Sequence, residues 1–213
     1  MMASLHTLAF VLGASFASGL NLYATLATLG LLQRFGVIQL PPGLQVLANP
    51  VLLGVAVSLY VVEFVADKIP YVDNIWDLIH TFIRPPAAAL LAYSSLGGVP
   101  EEWRLAAALI AGSIALTSHG TKATTRAAVN ASPEPISNSV LSMGEDGLAV
   151  FLAWMAATHP VLTLVIVLAL VAVSIYVVIK LSGFVRRGLR KLFRREPSWL
   201  PPSSRPTVID RRP

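Results

Sequence analysis

On a helix, Asp73, Asp77, His80 and Arg84 fall at i, i+4, i+7 and i+11 and share one stripe, while Ile75, Leu78, Ile79 and Phe82 take the other side. Carboxylates, an imidazole and a guanidinium in one row can hold a cation, pass a proton or orient an anionic group. Two readings of the stripe are open. It is either an amphipathic helix lying at a membrane interface with its charges in water, or a helix folded into a bundle, presenting its charges to a cavity with Arg84 as fixed counter-charge. A second copy favours the bundle, since Asn138, Ser142 and Glu145 repeat the same spacing; a further row, His119, Lys122 and Arg126, stands at i, i+3 and i+7, with Asn130 extending the stripe, inside an otherwise apolar segment. Lys and Arg at the centre of a membrane helix are penalised by about 2.5–3.5 kcal/mol each, so they turn inward and meet partners. Glu63, Asp67, Asp73, Asp77, Glu134, Glu145 and Asp146 are the acids available. Glu63 and Asp67 form their own i, i+4 pair, explained by a cavity or a cation, or by a helix end in the headgroup zone with Lys68 snorkelling. A site for an anionic headgroup or a coupled ion and a purely structural ion-pair network are both open.

The elements that must position these residues are membrane helices. The chain is 55% hydrophobic and 13% charged, with a mean hydropathy of +0.69. The run 161–179 carries no charge, and about 20 apolar residues suffice to cross a bilayer core as a helix. Repeated alternating strands of a membrane barrel are absent, so the spans are helical. Hydropathy places apolar segments near 5–32, 50–65, 85–96, 103–128, 147–157 and 160–181. Segments 85–96 and 147–157 are too short to cross alone, so each belongs to a broken or re-entrant helix or extends through the polar segment before it. The expected fold is an all-α, polytopic membrane helix bundle of about five to six spans.

An internal repeat is legible. Ser18 to Thr25 and His119 to Arg126 each interrupt an apolar helix with polar residues, and residues 70–80 run in register with 135–145: Asp73 meets Asn138, Asp77 meets Ser142, His80 meets Glu145. A duplicated half with discontinuous helices, as in transporters, has this pattern, and an odd number of intervening spans would make the repeat inverted. The expected domain is residues 1–182, with halves near 5–98 and 102–158 and a final span at 160–181; a basic juxtamembrane helix, 183–196, and a Pro- and Ser-rich disordered tail, 197–213, come after it. Pro133 and Pro135 break any helix within the second half, and Ser137 or Asn138 can cap the next helix. The break at Asn21 and Tyr23 is either functional or a packing kink.

Residues 1–33 contain no Lys, Arg, Asp or Glu; a cleaved signal opens with a cationic region, so a retained first segment is expected although Ser15 to Gly19 mimics a cleavage site. Without cysteine, disulfides and thiolate chemistry are excluded. Most of the net charge of +5 lies in Lys180, Arg186, Arg187, Arg190, Lys191, Arg194 and Arg195, which places the C-terminus in the cytoplasm and anionic lipids against this segment; nucleic acid is not expected as a partner. P-loop, dinucleotide, zinc-helix and nucleophile-elbow motifs are missing and no cofactor is implied.

The strings Glu63-Phe-Val-Ala-Asp-Lys-Ile-Pro-Tyr-Val-Asp73, Trp76-Asp77, His80-Thr81, Ile83-Arg84-Pro85 and Ser132-Pro-Glu-Pro, with Asn21, Tyr23 and Glu145-Asp146, resemble a family of small bacterial membrane proteins, domain of unknown function 4126, over about residues 5–181. The resemblance implies a multi-span membrane protein and no established activity. A looser likeness sets Glu63-x-x-x-Asp67-Lys68 beside the Glu-x-Gly-Asp-Lys motif of a cation-transporter family, and departs from it by one residue of spacing and the missing Gly.

The expectation is therefore an inner-membrane, multi-pass carrier or flippase-like protein with a polar midplane cavity. A cation would sit on Glu63, Asp67, Asp73 and Asp77; an anionic or phosphate-bearing solute on Lys122, Arg126 and Arg84. His80, His119, Asn138, Glu145 and Asp146 complete the candidate site, and assembly as a homo-oligomer is open. The alternatives are a metal-dependent intramembrane enzyme acting on lipid, with Asp73, Asp77 and His80 as ligands, and a structural or assembly protein.

Overall fold

Where the sequence breaks its apolar runs, the chain breaks or redirects its helices. The computed structural model describes residues 2–69, 72–130 and 135–193, and every regular element among them is helical. The first helix, α1 (Met2–Leu20), stops at Asn21. The extended backbone of Asn21 (φ −149, ψ 106) leaves the helix, while its side chain accepts a 2.9 Å hydrogen bond from the Ala24 amide and caps α2 (Leu22–Arg34).

The path of the chain beyond Asn21 corrects the expectation of a single span over 5–32. Had the helix run straight, Arg34 would lie about 36 Å beyond Phe10 at 1.5 Å per residue. Instead Leu40 donates to Gln33 Oε1 at 2.6 Å and lines one cavity together with His6, Thr7 and Phe10. The chain therefore doubles back at Asn21, and α1 and α2 form a hairpin with a buried apex. Gly19 makes the apex possible, because a Cβ there would collide with Ser118 Oγ and the Ala115 carbonyl of the helix alongside.

A short 3-10 helix (Pro42–Ala48) leads to Asn49, which accepts from the Val51 amide at 2.8 Å and, with Pro50, starts α3 (Pro50–Ala66) at a bend of 71°. Then come α4 (Val72–Ser95), α5 (Glu101–Asn130), α6 (Pro135–Thr158) and α7 (Pro160–Phe193). The short apolar segments 85–96 and 147–157 are completed by the polar turns before them: α4 continues through Pro85 and Pro86, and α6 begins at Pro135. The prolines opening α6 and α7 suit a helix start, where the missing amide donor has no intrahelical partner. The basic segment continues α7 as far as Phe193. Residues 132–134 of the expected break, with Glu134, and the tail at 197–213 lie outside the described residues.

Contacts fix the helix directions. Thr81 meets His119 and Tyr93 meets Arg104, so α4 and α5 are antiparallel. Gly19 meets Arg84, and Phe10 shares its cavity with Ser95, so α1 opposes α4. Gly13 lies against Ala156 and Asn21 against Asp146, so α1 also opposes α6. Hence α1 is parallel to α5, and α4 to α6. An inverted repeat requires opposite directions and is not supported. Asp73 and Asp77 near the start of α4, and Asn138 and Ser142 near the start of α6, are all buried.

Among the described residues two stretches, Asn138–Thr158 and Pro160–Leu181, are long and apolar enough to cross a membrane, and the bent pair Pro42–Ala48 and Pro50–Ala66 would make a third. The outward surface matches such surroundings, with Phe82, Leu109 and Val51 exposed by more than 70%. The core, built of Phe10, Val11, Ala14, Phe16, Ala17, Leu29, Leu152 and Ala156 among others, gathers around α1.

Candidate functional site

The end of α3, the starts of α4 and α6 and the later turns of α5 come together around the apex of the α1–α2 hairpin. Glu63, Asp67, Asp73, Arg84 and Arg126 are fully buried there, as are His80, His119, Lys122, Asp77, Asp146 and Asn138 to within 4%. The Glu145 side chain is 11% exposed. The charged stripe of α4 thus faces protein, and its apolar side, Ile75, Leu78, Ile79 and Phe82, faces outward. An interfacial helix with its charges in water is the reading this overturns.

Each cation has a defined set of oxygens. Arg84 Nη2 lies 2.6 Å from Glu63 Oε1, and its Nη1 donates to the Gly19 carbonyl at 2.9 Å. Lys122 Nζ donates to Asp67 Oδ2 at 2.9 Å, to the Leu20 carbonyl at 3.1 Å and to Glu63 Oε1 at 3.3 Å. Arg126 bridges Asp67 Oδ2 (2.9 Å) and Glu145 Oε2 (2.6 Å) and donates to the Asp67 carbonyl at 3.1 Å. Gly19 and Leu20 are the last residues of α1, whose carbonyls the break at Asn21 frees and whose dipole carries negative charge at this end.

The amides and the imidazoles complete the network. Asn21 Nδ2 donates to Asp146 Oδ1 at 2.8 Å, and Asn138 Nδ2 donates to the Asp67 carbonyl at 3.2 Å and lies 3.4 Å from Asp73 Oδ2. His80 lies 3.1 Å from the Tyr23 hydroxyl and 2.8 Å from the Trp76 carbonyl. His119 Nδ1 is 2.7 Å from Arg84 Nη1, which can only donate, so that nitrogen accepts and carries no proton. Its Nε2–H then faces the Asp77 carbonyl at 3.0 Å and Thr81 Oγ1 at 2.9 Å, and the imidazole is neutral.

The charges do not balance. Among the described residues six carboxyl groups, Glu63, Asp67, Asp73, Asp77, Glu145 and Asp146, surround three permanent cations, Arg84, Lys122 and Arg126. Glu63, Asp67 and Glu145 satisfy those cations at 2.9 Å or less. Asp77 comes no nearer than 3.9 Å to Arg84, and neither of its oxygens has a hydrogen-bond donor. Glu63 Oε2, Asp67 Oδ1, Asp146 Oδ2, Asn138 Oδ1 and Ser142 Oγ are also buried without a partner; Arg84 Nε is the unpartnered donor among the cations. Buried acceptors without donors are costly and call for a proton, a water or a cation.

All twelve residues singled out from the sequence meet in this cluster. Missed were the Gly19 and Leu20 carbonyls and Thr81. The polar interruption at Asn21 was the available signal for the carbonyls, since a helix that stops in a membrane frees the oxygens just before the stop. The charged side chains expected to line a polar cavity contact one another directly. A cavity of about 680 Å³ opens instead at the opposite end of α1, lined by His6, Thr7, Gln39, Gln45, Ser95 and Thr158 among others, with none of the charged cluster in its wall. Among the described residues no group of three or more His, Asp or Glu is placed to hold a metal ion.

Residues 8–180 match the family model described as Domain of unknown function (DUF4126). No curated protein and no solved structure matches the chain.

Proposed function

The chain belongs to the DUF4126 family, and from that premise we propose that it is a membrane carrier of a small cation, with the buried charge cluster as its binding site. One observation carries this reading: among the described residues the three cations are each held by a carboxylate, while buried carboxylate oxygens of Glu63, Asp67, Asp77 and Asp146 have no hydrogen-bond donor. An anionic or phosphate-bearing solute would need free positive charge, and the three described cations are each held by a carboxylate. The broken hairpin supports the same reading, because discontinuous helices that aim backbone carbonyls into a buried site serve cation binding in membrane carriers. In this reading α1–α2 is re-entrant, α3 to α7 are five crossings, and α7 emerges with its basic segment on the cytoplasmic face, at the charged end of the bundle. The N-terminus then lies on the other face, and the basic segment rests on anionic lipid. Polar heads of the parallel α4 and α6 would be the two halves of a direct repeat.

A structural ion-pair network is the competing reading, favoured by the short contacts each cation makes. Asp77 separates the two, since no donor satisfies it. A lipid enzyme dependent on a metal finds no donor group of the required kind among the described residues. The test is flux into proteoliposomes made with anionic lipid, with imposed gradients of potassium, sodium, ammonium or protons. The intact protein should carry at least one of these above empty vesicles, and Asp77→Asn should abolish the flux while unfolding at an unchanged or higher temperature. A folded, reconstituted protein that moves none of the four overturns the carrier reading.

A further inference from the structure

The Lys122 ammonium occupies an unusual seat. Its three N–H donors face three oxygens from two elements, Asp67 Oδ2 at 2.9 Å, the Leu20 carbonyl at 3.1 Å and Glu63 Oε1 at 3.3 Å, and Lys122 itself is 2% exposed. Two carboxylates and the free carbonyl end of a helix form a small anionic shell. The same two carboxylates each hold a second oxygen, Glu63 Oε2 and Asp67 Oδ1, fully buried and without a partner. A tetrahedral ammonium has no fourth donor to offer them, since its remaining bond is to the lysine stem. A spherical ion has no such limit.

We propose that Lys122 is a tethered stand-in for a free univalent cation of ammonium or potassium size, and that the pocket formed by Glu63, Asp67 and the Leu20 carbonyl is a cation site which the side chain fills and vacates. The inference rests on the carrier reading for the role of that exchange, but the site is defined by its own geometry. Divalent ions draw oxygens in to about 2.0–2.6 Å and take higher coordination. A shell held at 2.9–3.3 Å suits the larger univalent ions. Arg84 and Arg126, which flank the same two carboxylates at 2.6 and 2.9 Å, hold the shell in place when the lysine leaves. Their planar guanidiniums suit fixed bidentate roles; a lysine is a compact charge on a flexible stem. The division of labour is therefore two arginines that build the site and one lysine that competes for it.

Lys122→Met keeps the stem and removes the charge. Its thermal unfolding, in detergent at one fixed ionic strength, is compared across choline, ammonium, potassium, sodium and magnesium chlorides. In choline Lys122→Met should unfold at a lower temperature than the intact protein, or fail to stay folded. Ammonium or potassium should restore it in a saturable manner, with choline and magnesium inactive. The double variant Lys122→Met, Glu63→Gln should lose the rescue. Equal behaviour of Lys122→Met in every salt, folded or not, overturns the assignment. The two hypotheses fail separately: flux through the intact protein with no rescue of Lys122→Met retires the tethered cation and keeps the carrier, whereas rescue without flux keeps the cation site and retires the carrier.

Discussion

The two ends of the bundle are built from the same helices and held together differently. Toward the charged end, α1, α4, α5 and α6 meet through ion pairs and through carbonyls freed by the hairpin apex. Toward the other, the same four helices meet through Phe10, Ala14, Leu91, Ala92, Ala111 and Leu152. Small residues bring backbones close there, with Gly112 near the Pro85 carbonyl and Gly13 against Ala156. Among lipid tails, apolar side chains gain little by leaving their surroundings, so the apolar end is held by close packing over many weak contacts. The charged end instead narrows the arrangements open to it, because most of its donors meet a particular oxygen. Shape specifies one end and polar pairing the other, and only the polar end has unfilled demands that a ligand can meet.

The largest effect should come from breaking that pairing. Arg126→Ala takes from Glu145 the cation that holds it and leaves Asp67 with Lys122 alone. Removing one member of a buried ion pair destabilises by about 3–5 kcal/mol, since the other charges stay buried and uncompensated. Denaturant or thermal unfolding in detergent measures it, and a loss below about 1 kcal/mol, the range of exposed pairs, would mean that water reaches the cluster. Leu152→Ala at the fully buried apolar end should rank next, at about 2–5 kcal/mol for a large-to-small change in a core. Here the sharper readout is the salt. Potassium and ammonium should leave the Leu152→Ala deficit unchanged, and a deficit that either ion repairs would erase the distinction between the ends.

Sequence spacing revealed most of the charged end. Charges at helical intervals in a chain this apolar have few places to go, so Asp73, Asp77, His80 and Arg84 predict a shared inward face, as do His119, Lys122 and Arg126. The apolar end was less legible. Leu, Val and Ala facing protein and facing lipid look alike in a membrane chain, so hydropathy merged α1 and α2 into one span although the chain reverses between them. Asn21 marked the place but not the angle, which depends on Gly19 packing against α5 and on Leu40 returning to Gln33. The expected repeat rested on register alone and its inverted sense finds no support, because direction depends on how many times the chain turns and the hairpin supplies a turn that composition does not show. Which cation meets which carboxylate lies beyond periodicity altogether, since that depends on how α3 and α5 are rotated against each other.

The smallest expected effect tests whether the comparison between ends is also one between inside and outside. Phe82 lies on α4 between His80 and Arg84, two residues from each, yet it is 75% exposed while they are 1% and 0%. Its ring therefore touches little protein, and Phe82→Ala should change stability in detergent by no more than about 0.5 kcal/mol, as surface substitutions do. A loss approaching that of Leu152→Ala would show the outer face of α4 to be covered, and a second copy of the chain is the simplest cover, visible as a concentration-dependent unfolding temperature. With no such loss, α4 is an inside-out amphipathic helix, polar toward the protein and apolar toward lipid. Its charged stripe is then held inward by its ion-pair partners together with the bilayer, which leaves the opposite face no water to seek.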